Sequence, residues 1–335
     1  MSLRKTVQKT LVKSGATRAA AWLSGPKIVI LRYHSIQAER KSDHSLLSES
    51  NVHTAEEMDQ HMAYVATSCD PVTMDDIHRF LSGGTGLPQR PVAVTIDDGF
   101  YDSYSLAAPI LDKYGIKGAF YVITSSPDCQ SLPWFCRTKF AFGKTTMEFW
   151  RDPTDGDRYD LSSQFERKEA RHAANRICAR LTGAKQVQVL SQIESELQVQ
   201  PPDVFAELMM RWDDIRALKE SGHIVGSHTV SHPNLTLITG KELARELTSA
   251  KKRISEEVGD EIDHFSFPNP IIQPHWNETV VEALRVSGYS TGVTSTSGPV
   301  HVDNANQFAL ARMAAPRLID DFVWSVEASF AGRIF

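Results

Sequence analysis

Short apolar segments rich in β-branched residues recur along the chain, and stretches with helical periodicity lie between them. This alternation is typical of parallel strands joined by crossover helices. The segments predict seven strands, at 28–33, 92–97, 118–123, 223–226, 264–267, 289–293 and 308–313. The helical patterns predict helices at 56–68, 104–114, 214–221, 241–258 and 277–287. Seven strand-and-helix units predict an α/β barrel.

The alternation is interrupted between about 125 and 207, where no strand-like segment of similar quality occurs. Within this stretch Ser163 and Glu166 have capping-box spacing, and apolar residues at helical intervals follow them. We therefore predict a helical insertion at about 125–207, inside a barrel domain that extends over 27–335.

The first 26 residues are basic. They contain five cations and no acid: Arg4, Lys5, Lys9, Lys13 and Arg18. Leu3, Val7 and Leu11 recur at helical spacing, so the segment predicts a basic N-terminal helix over 1–26. Its favoured role is to pack on the domain or lie in solvent. The alternative is peripheral contact with anionic lipid at the inner membrane face.

Composition excludes several classes of protein. The 36 Lys and Arg residues against 41 Asp and Glu residues give a net charge of −5, so no overall basic field is available to hold nucleic acid. No apolar run approaches the roughly 18 residues of a membrane-spanning helix, and no run in the first 26 residues suits a signal peptide. The four cysteines form no CxxC pair, so we expect reduced thiols and a cytoplasmic location.

Metal-binding and acid–base residues follow three of the predicted strands. His34 follows the first strand, Asp97 and Asp98 end the second, and His228 and His232 follow the fourth. Loops at the carboxyl ends of barrel strands converge on one face. Two histidines four residues apart would share one face of a helical turn and bind one cation. Each motif alone is commonly incidental, but one carboxylate and two imidazoles together match a catalytic metal site with open positions.

These motifs resemble those of a known family. Residues 95–99, TIDDG, are similar to the T-F-D-D-G motif of polysaccharide deacetylases, and 227–233, SHTVSHP, resemble their H-[ST]-x-x-H-P motif. Residues 30–36 resemble the opening strand of the exopolysaccharide-biosynthesis branch, and 265–269 resemble its F-x-Y-P-N turn. The resemblance covers roughly 27 to 332 and implies a distorted (β/α)7 barrel, in agreement with the seven predicted strands.

The resemblance also implies roles for individual residues. Asp98, His228 and His232 would bind a divalent metal, most often Zn²⁺, with Co²⁺, Ni²⁺, Mn²⁺ or Fe²⁺ as alternatives. Asp97 would act as the general base. The exopolysaccharide branch associates the proton donor with a Tyr-His pair near the start of the chain, so the resemblance implies that His34 would donate a proton to the leaving group.

The sequence departs from the commoner branch of this family at one turn. That branch has an R-x-P-x-G turn whose arginine orients the base, whereas here Ser266 and Pro270 stand at the arginine and glycine positions. The late leucine-histidine acid motif is also missing. Arg312, near the end of the seventh predicted strand, is the candidate for orienting Asp97, with a surface or structural role as the alternative.

These observations predict a metal-dependent hydrolase that removes acetyl from the nitrogen of an amino sugar, in a glycan or a lipid-linked glycan precursor. Trp134 and Phe135 would stack on sugar rings or, alternatively, form the core of the insertion. Two further alternatives are a hydrolase of a non-sugar amide and a noncatalytic glycan-binding protein. The sequence does not indicate an oligomeric state.

Overall fold

The computed structural model describes residues 3–40, 46–269 and 273–332. The strands are β1 (Lys27–Tyr33), β2 (Ser35–Gln37), β3 (Val52–Thr54), β4 (Asp70–Pro71), β5 (Pro91–Ile96), β6 (Ala119–Val122), β7 (Phe149–Arg151), β8 (Arg158–Asp160), β9 (Ile224–Ser227), β10 (His264–Ser266), β11 (Thr291–Val293), β12 (Val300–His301) and β13 (Met313–Ala314).

The helices surround the main sheet or form the segment between β6 and β9. They are α1 (Leu3–Lys13), α2 (Ala16–Leu23), α3 (Ala55–Ser68), α4 (Met74–Leu81), α5 (Ala108–Lys113), α6 (Ser125–Cys129), α7 (Trp134–Lys144), α8 (Gln164–Cys178), α9 (Gly183–Glu196), α10 (Phe205–Leu208), α11 (Trp212–Glu220), α12 (Gly240–Val258), α13 (Glu278–Val286) and α14 (Ile319–Ala331). A π-helical turn, Ser103–Ala107, precedes α5, and two 3₁₀ turns lie at Glu49–Asn51 and Val302–Asn304.

The central sheet is a distorted (β/α)7 barrel, as predicted. Its parallel strands lie in the order β11, β10, β9, β6, β5, β1. The segment from Leu310 to Met313 closes it, because Leu310 bridges to Val293 of β11 and Met313 pairs in parallel with Leu31 of β1. Within this segment the chain leaves its contact with β11 and pairs with β1. The predicted seventh strand, 308–313, is therefore reduced to a bridge and the short β13.

Alternation along β1 explains how the barrel places polar groups. Val29 and Leu31 pack in the larger core that contains the surrounding helices, while Ile28 and Ile30 pack in the smaller core inside the barrel. Because successive side chains point to opposite faces of a strand, the next inward position is Arg32. Position 34 has the same parity, at the carboxyl end of the strand.

The segment between β6 and β9 has a core of its own. Trp150, Ala174 and Ile193 are among the buried residues of this cluster. Ser163 and Glu166 form a reciprocal capping box at the start of α8. The segment also contains the antiparallel hairpin β7–β8, which the sequence did not indicate because each strand has only three residues.

The prediction of one N-terminal helix over 1–26 is wrong, because two helices occupy this segment. Gly15 separates α1 from α2 and has a φ of 77°, a left-handed conformation that breaks the helix and suits glycine. Lys5 and Lys9 pair with Asp321 and Asp320 at the start of α14. In the ranges that the structure describes, no helix is both long and apolar enough to cross a membrane.

Candidate active site

A cavity of about 330 Å³ lies where the carboxyl ends of the barrel strands meet the segment between β6 and β9. Five of the residues predicted from the sequence line it: His34, Asp97, Asp98, His228 and His232. Arg312, the sixth, is buried and contacts Asp97 from within the barrel. The structure thus brings all six candidate residues together.

Asp98, His228 and His232 form a buried cluster whose ligand atoms lie within 4.8 Å of one another. Asp98 Oδ1 is 3.3 Å from His228 Nε2 and 3.7 Å from His232 Nε2. Ligand atoms at about 2.0–2.1 Å from a tetrahedral metal are separated by about 3.3 Å. Two of the three separations are near this value, so the three side chains could converge on one divalent cation.

The imidazole of His228 is oriented for metal binding. Its Nδ1 lies 2.7 Å from the carbonyl oxygen of Ser266, which can only accept a hydrogen bond, so Nδ1 carries the hydrogen and Nε2 faces Asp98. Burial lowers the pKa of His228, but the hydrogen bond to Asp98 and the charges of Asp97 and Asp98 outweigh it and raise the pKa. The same negative charge favours a bound cation.

His232 complements this arrangement. Burial, and then the charge of His228, lower the pKa of His232 to about 3, so its ring is neutral at pH 7. Neutral imidazole is the form that binds metals. Its Nδ1 is buried and has no hydrogen-bond partner among the described residues.

The expectation that the two histidines share a helical turn is wrong. They lie in an irregular loop after β9, and Thr229 and His232 have left-handed φ values of 69° and 55°. The buried carboxylate of Glu246 on α12 fixes the loop, accepting bonds from the backbone N–H groups of Val230 and Ser231, both at 2.9 Å, and from the Ser231 hydroxyl at 2.7 Å. A distant helix, rather than local helical geometry, holds the histidines near one another.

The turn after β5 separates the two aspartates. Asp98 has a φ of 76°, which is uncommon outside glycine and typical of functional sites. Asp98 therefore lies in a turn and does not continue the extended backbone of β5. Gly99 follows with a φ of 79°, and a Cβ there would lie 2.8 Å from Val122 Cγ1. The Asp-Asp-Gly order therefore meets a conformational requirement of the turn.

Asp97 is bound at both oxygens by Arg312. The Arg312 Nη1 to Oδ1 distance is 2.8 Å and the Nη2 to Oδ2 distance is 2.7 Å. Burial alone would raise the pKa of Asp97, but the charge and hydrogen bonds of Arg312, together with the charge of His228, hold it well below its usual range. Asp97 is thus a fixed, ionised carboxylate at the edge of the cavity.

Arg312 reaches this position from the irregular segment between Leu310 and β13, not from the turn after β10. Ser266, which stands at the turn position, accepts a bond from Arg312 Nη2 at 3.0 Å. The other residue of the altered turn, Pro270, lies outside the described residues. Arg312, from the last strand position of the barrel, and the Ser266 hydroxyl on β10 therefore lie together beside Asp97.

His34 lies at the cavity wall, half-buried, just after β1. Burial lowers its pKa to about 4, although the charges of Asp98 and Asp97 oppose this effect. The His34 ring is therefore neutral at pH 7. The ordinary histidine pKa of about 6.5 therefore does not apply to His34.

Trp134 and Phe135 at the start of α7 contact the His232 loop. Trp134 is buried, and its Nε1 donates to the His232 carbonyl at 3.1 Å. The half-buried Phe135 ring lies with its centroid 4.9 Å from that of His232. Both line the cavity, and Trp134 also belongs to the core of the segment between β6 and β9.

Several cavity residues were not indicated by the sequence, notably Arg32, Lys139, Arg171, His172 and Asn175. Four of these five lie on α7 or α8, far along the chain from the barrel motifs. Only Arg32 could have been found from the sequence, because alternate residues of β1 face the barrel interior and position 32 is one of them.

Four other histidines, His223, His264, His275 and His301, do not line the cavity. His223 accepts a bond from the Gly118 N–H, and His264 bonds to Thr291 and Asp75. His275 is buried near Gln273 and His301 is exposed.

Comparisons with known proteins agree with this fold. The sequence profile of the polysaccharide deacetylase family matches residues 157–292, which include both cluster histidines. The Bacillus subtilis (strain 168) protein YxkH, whose name assigns it provisionally to the polysaccharide deacetylases, is 21% identical over 314 residues, covering 92% of this chain and 79% of that protein.

Two solved structures share the fold. Deacetylase PplD of Streptococcus pyogenes, in complex with acetate, has a TM-score of 0.60 and 16% identity, covering 90% of this chain and 99% of that one. IcaB from Ammonifex degensii has a TM-score of 0.54 and 20% identity, covering 92% and 98%. Both likenesses support the (β/α)7 barrel described above. The profile match confirms the resemblance to the polysaccharide deacetylase family.

Proposed function

We propose that the protein is a metal-dependent hydrolase that removes N-acetyl groups from an amino sugar in a glycan or a lipid-linked glycan precursor. The observation that carries this proposal is the juxtaposition of two units in one cavity. One is the Asp98, His228 and His232 cluster, and the other is the Asp97–Arg312 pair.

The cluster would hold the metal. Two imidazole nitrogens and one carboxylate oxygen are ligands that Zn²⁺ accepts readily, and three protein ligands leave positions free for chemistry. Co²⁺, Ni²⁺, Mn²⁺ and Fe²⁺ accept the same ligand types, so they are alternatives. When bound, such an ion supplies Lewis-acid polarisation of the acetyl carbonyl and a lowered pKa for water.

Asp97 would accept a proton from the attacking water. Arg312 fixes the carboxylate through both oxygens, and each oxygen keeps a further lone pair for the water. This rigidity places the base without reorganisation during the reaction. Because Arg312 also depresses the pKa of Asp97, the base is weak, and the reaction depends on a water that has already become more acidic.

His34 would give the leaving nitrogen its proton. Since its ring is neutral at pH 7, the proton that it delivers must be acquired within the site. Water is the source: its oxygen joins the acetyl carbon, the C–N bond breaks, and one water proton ends on the sugar nitrogen. The products are acetate and the free amine.

Peripheral membrane contact is a separate part of this proposal. Trp22 and Leu23 at the end of α2 are 81% and 73% exposed, and Trp22 shares a surface depression with Arg18. Aromatic and aliphatic side chains beside a cation suit the interface of an anionic bilayer. Sedimentation with phosphatidylglycerol vesicles, compared between the natural chain and a Trp22→Ser, Leu23→Ser variant, tests this contact.

The proposed activity is tested with the whole protein after loading with Zn²⁺. We expect about one ion per chain and acetate release from N-acetylglucosamine oligomers. His232→Ala should lose the ion, since it removes one ligand of three. Absence of a bound ion, or an ion retained by the cysteines, contradicts the proposal. Acetate release from a small non-sugar acetamide but not from the oligomers would favour the other amide hydrolase.

A further inference from the structure

The cavity contains cations that the proposed hydrolysis does not use. Arg32 is at an inward-facing position near the carboxyl end of β1, Lys139 lies on α7, and Arg171 lies on α8. They therefore come from both sides of the cavity, one from the barrel and two from the segment between β6 and β9.

The acids of the cavity are already engaged. Asp97 is bound by Arg312, and Asp98 belongs to the proposed metal cluster. Within ranges 3–40, 46–269 and 273–332, no carboxylate lies within ion-pair distance of Arg32 or Arg171. The Nε atoms of both arginines are buried and have no hydrogen-bond partner among these residues.

Burial affects both side chains. It lowers the pKa of Arg171, and it also lowers the pKa of Arg32, where the charge of Arg312 adds to the effect and the charges of Asp97 and Asp98 oppose it. Both side chains are half-buried, and each has a buried Nε–H without a partner, which costs folding free energy because this group loses water without gaining a hydrogen bond. A neutral sugar could accept hydrogen bonds from these groups but would leave their positive charges unbalanced. A negatively charged group entering the cavity would balance them, and arginine is well suited to bind carboxylate or phosphate oxygens.

We infer that Arg32 and Arg171 form an anion-binding subsite, and that the substrate carries an anionic oxygen group beside its N-acetylated sugar. This inference rests on the proposed deacetylation and specifies its substrate class. Two sources would supply the same chemistry: the carboxylate of a neighbouring uronic acid, or a phosphate on the anomeric carbon of the acetylated sugar.

Binding and turnover are measured separately to test this inference. Calorimetry uses full-length, Zn²⁺-loaded protein carrying Asp97→Asn, which prevents turnover during titration. The probes are neutral di-N-acetylchitobiose, an N-acetylglucosamine–glucuronic acid disaccharide, and N-acetylglucosamine 1-phosphate. We expect at least one anionic probe to bind about tenfold more tightly than the neutral probe or better, the scale of one charge-assisted hydrogen bond. Added NaCl should weaken only the binding of anionic probes.

Substitution assigns the effect to the subsite. Arg171→Gln should lower the anionic-to-neutral affinity ratio about tenfold. Lys168→Gln, which removes an exposed charge from the same helix, should leave the ratio unchanged. Equal binding of charged and neutral probes, no binding of either anionic probe, or an equal loss for all probes in Arg171→Gln would each overturn the inference. Acetate release by the protein with Asp97 intact, from chitobiose or from either anionic probe, shows independently whether the proposed deacetylation stands.

Discussion

Arg312 and Asp97 are 215 positions apart and form a buried ion pair with two hydrogen bonds. The remaining three bonds of the guanidinium go to Thr294 O, Thr95 Oγ1 and Ser266 Oγ. A guanidinium has five N–H donors, so every donor is used. The pair therefore links four strands or strand ends of the barrel at the base of the cavity.

Replacing Arg312 with Met should destabilise the protein by about 3–5 kcal/mol, because it leaves the Asp97 carboxylate buried and unpaired. Urea unfolding measures this change. The double variant with Asp97→Asn should recover part of the loss, since it removes the unpaired charge. If the double variant is no more stable than Arg312→Met alone, the other three hydrogen bonds of Arg312 provide its stability.

Asp97→Asn separates the proposed base from the proposed metal ligands. The amide cannot accept the water proton, so we expect turnover to fall about 100-fold or more. Metal content, measured by elemental analysis, should stay near that of the natural chain because Asp97 is outside the cluster. Asp98→Asn is the matched comparison and should lose the ion as well. Activity retained in Asp97→Asn would show that another group activates the water.

Glu246 should control metal affinity without touching the metal. Its carboxylate accepts three bonds from the His232 loop, so Glu246→Ala should free the loop and weaken metal affinity about 10- to 100-fold, the range for outer-shell partners. Competition with a chelator gives the affinity. Glu256→Ala, at an exposed position on the same helix, is the control. Equal affinities in the two variants would mean that the loop holds its shape without Glu246.

The strands were predictable from the sequence because parallel barrel strands are buried on both faces. All six residues of β5 are buried, so the segment is continuously apolar. The last barrel position was less predictable, since the chain there changes neighbours between Leu310 and Met313. The sequence also gave no expectation of α14, whose contacts with α1 and α2 join opposite ends of the chain.

Cavity residues were predictable only where a metal-binding or acid–base residue comes directly after a strand. His34, Asp98 and His228 each lie within two residues of a strand end, so barrel geometry alone brings them to one face. Glu246 and Arg171 lie on helices, and no local pattern distinguishes a helical residue that faces the cavity from one that packs elsewhere. Tertiary packing brings Glu246 and Arg171 to the site, although both lie far from the barrel motifs along the sequence.

The role of His34 is open to a test that uses two leaving groups. An amine must be protonated as the C–N bond breaks, whereas the leaving group of an activated acetyl ester departs with little protonation. His34→Ala should therefore slow amide hydrolysis much more than ester hydrolysis, while metal content stays unchanged. Because burial lowers the pKa of His34 to about 4, its resting ring should cause no change in kcat/KM near pH 6.5. Equal losses on both substrates would indicate a positioning role, and undiminished amide hydrolysis in His34→Ala would eliminate His34 as the proton donor.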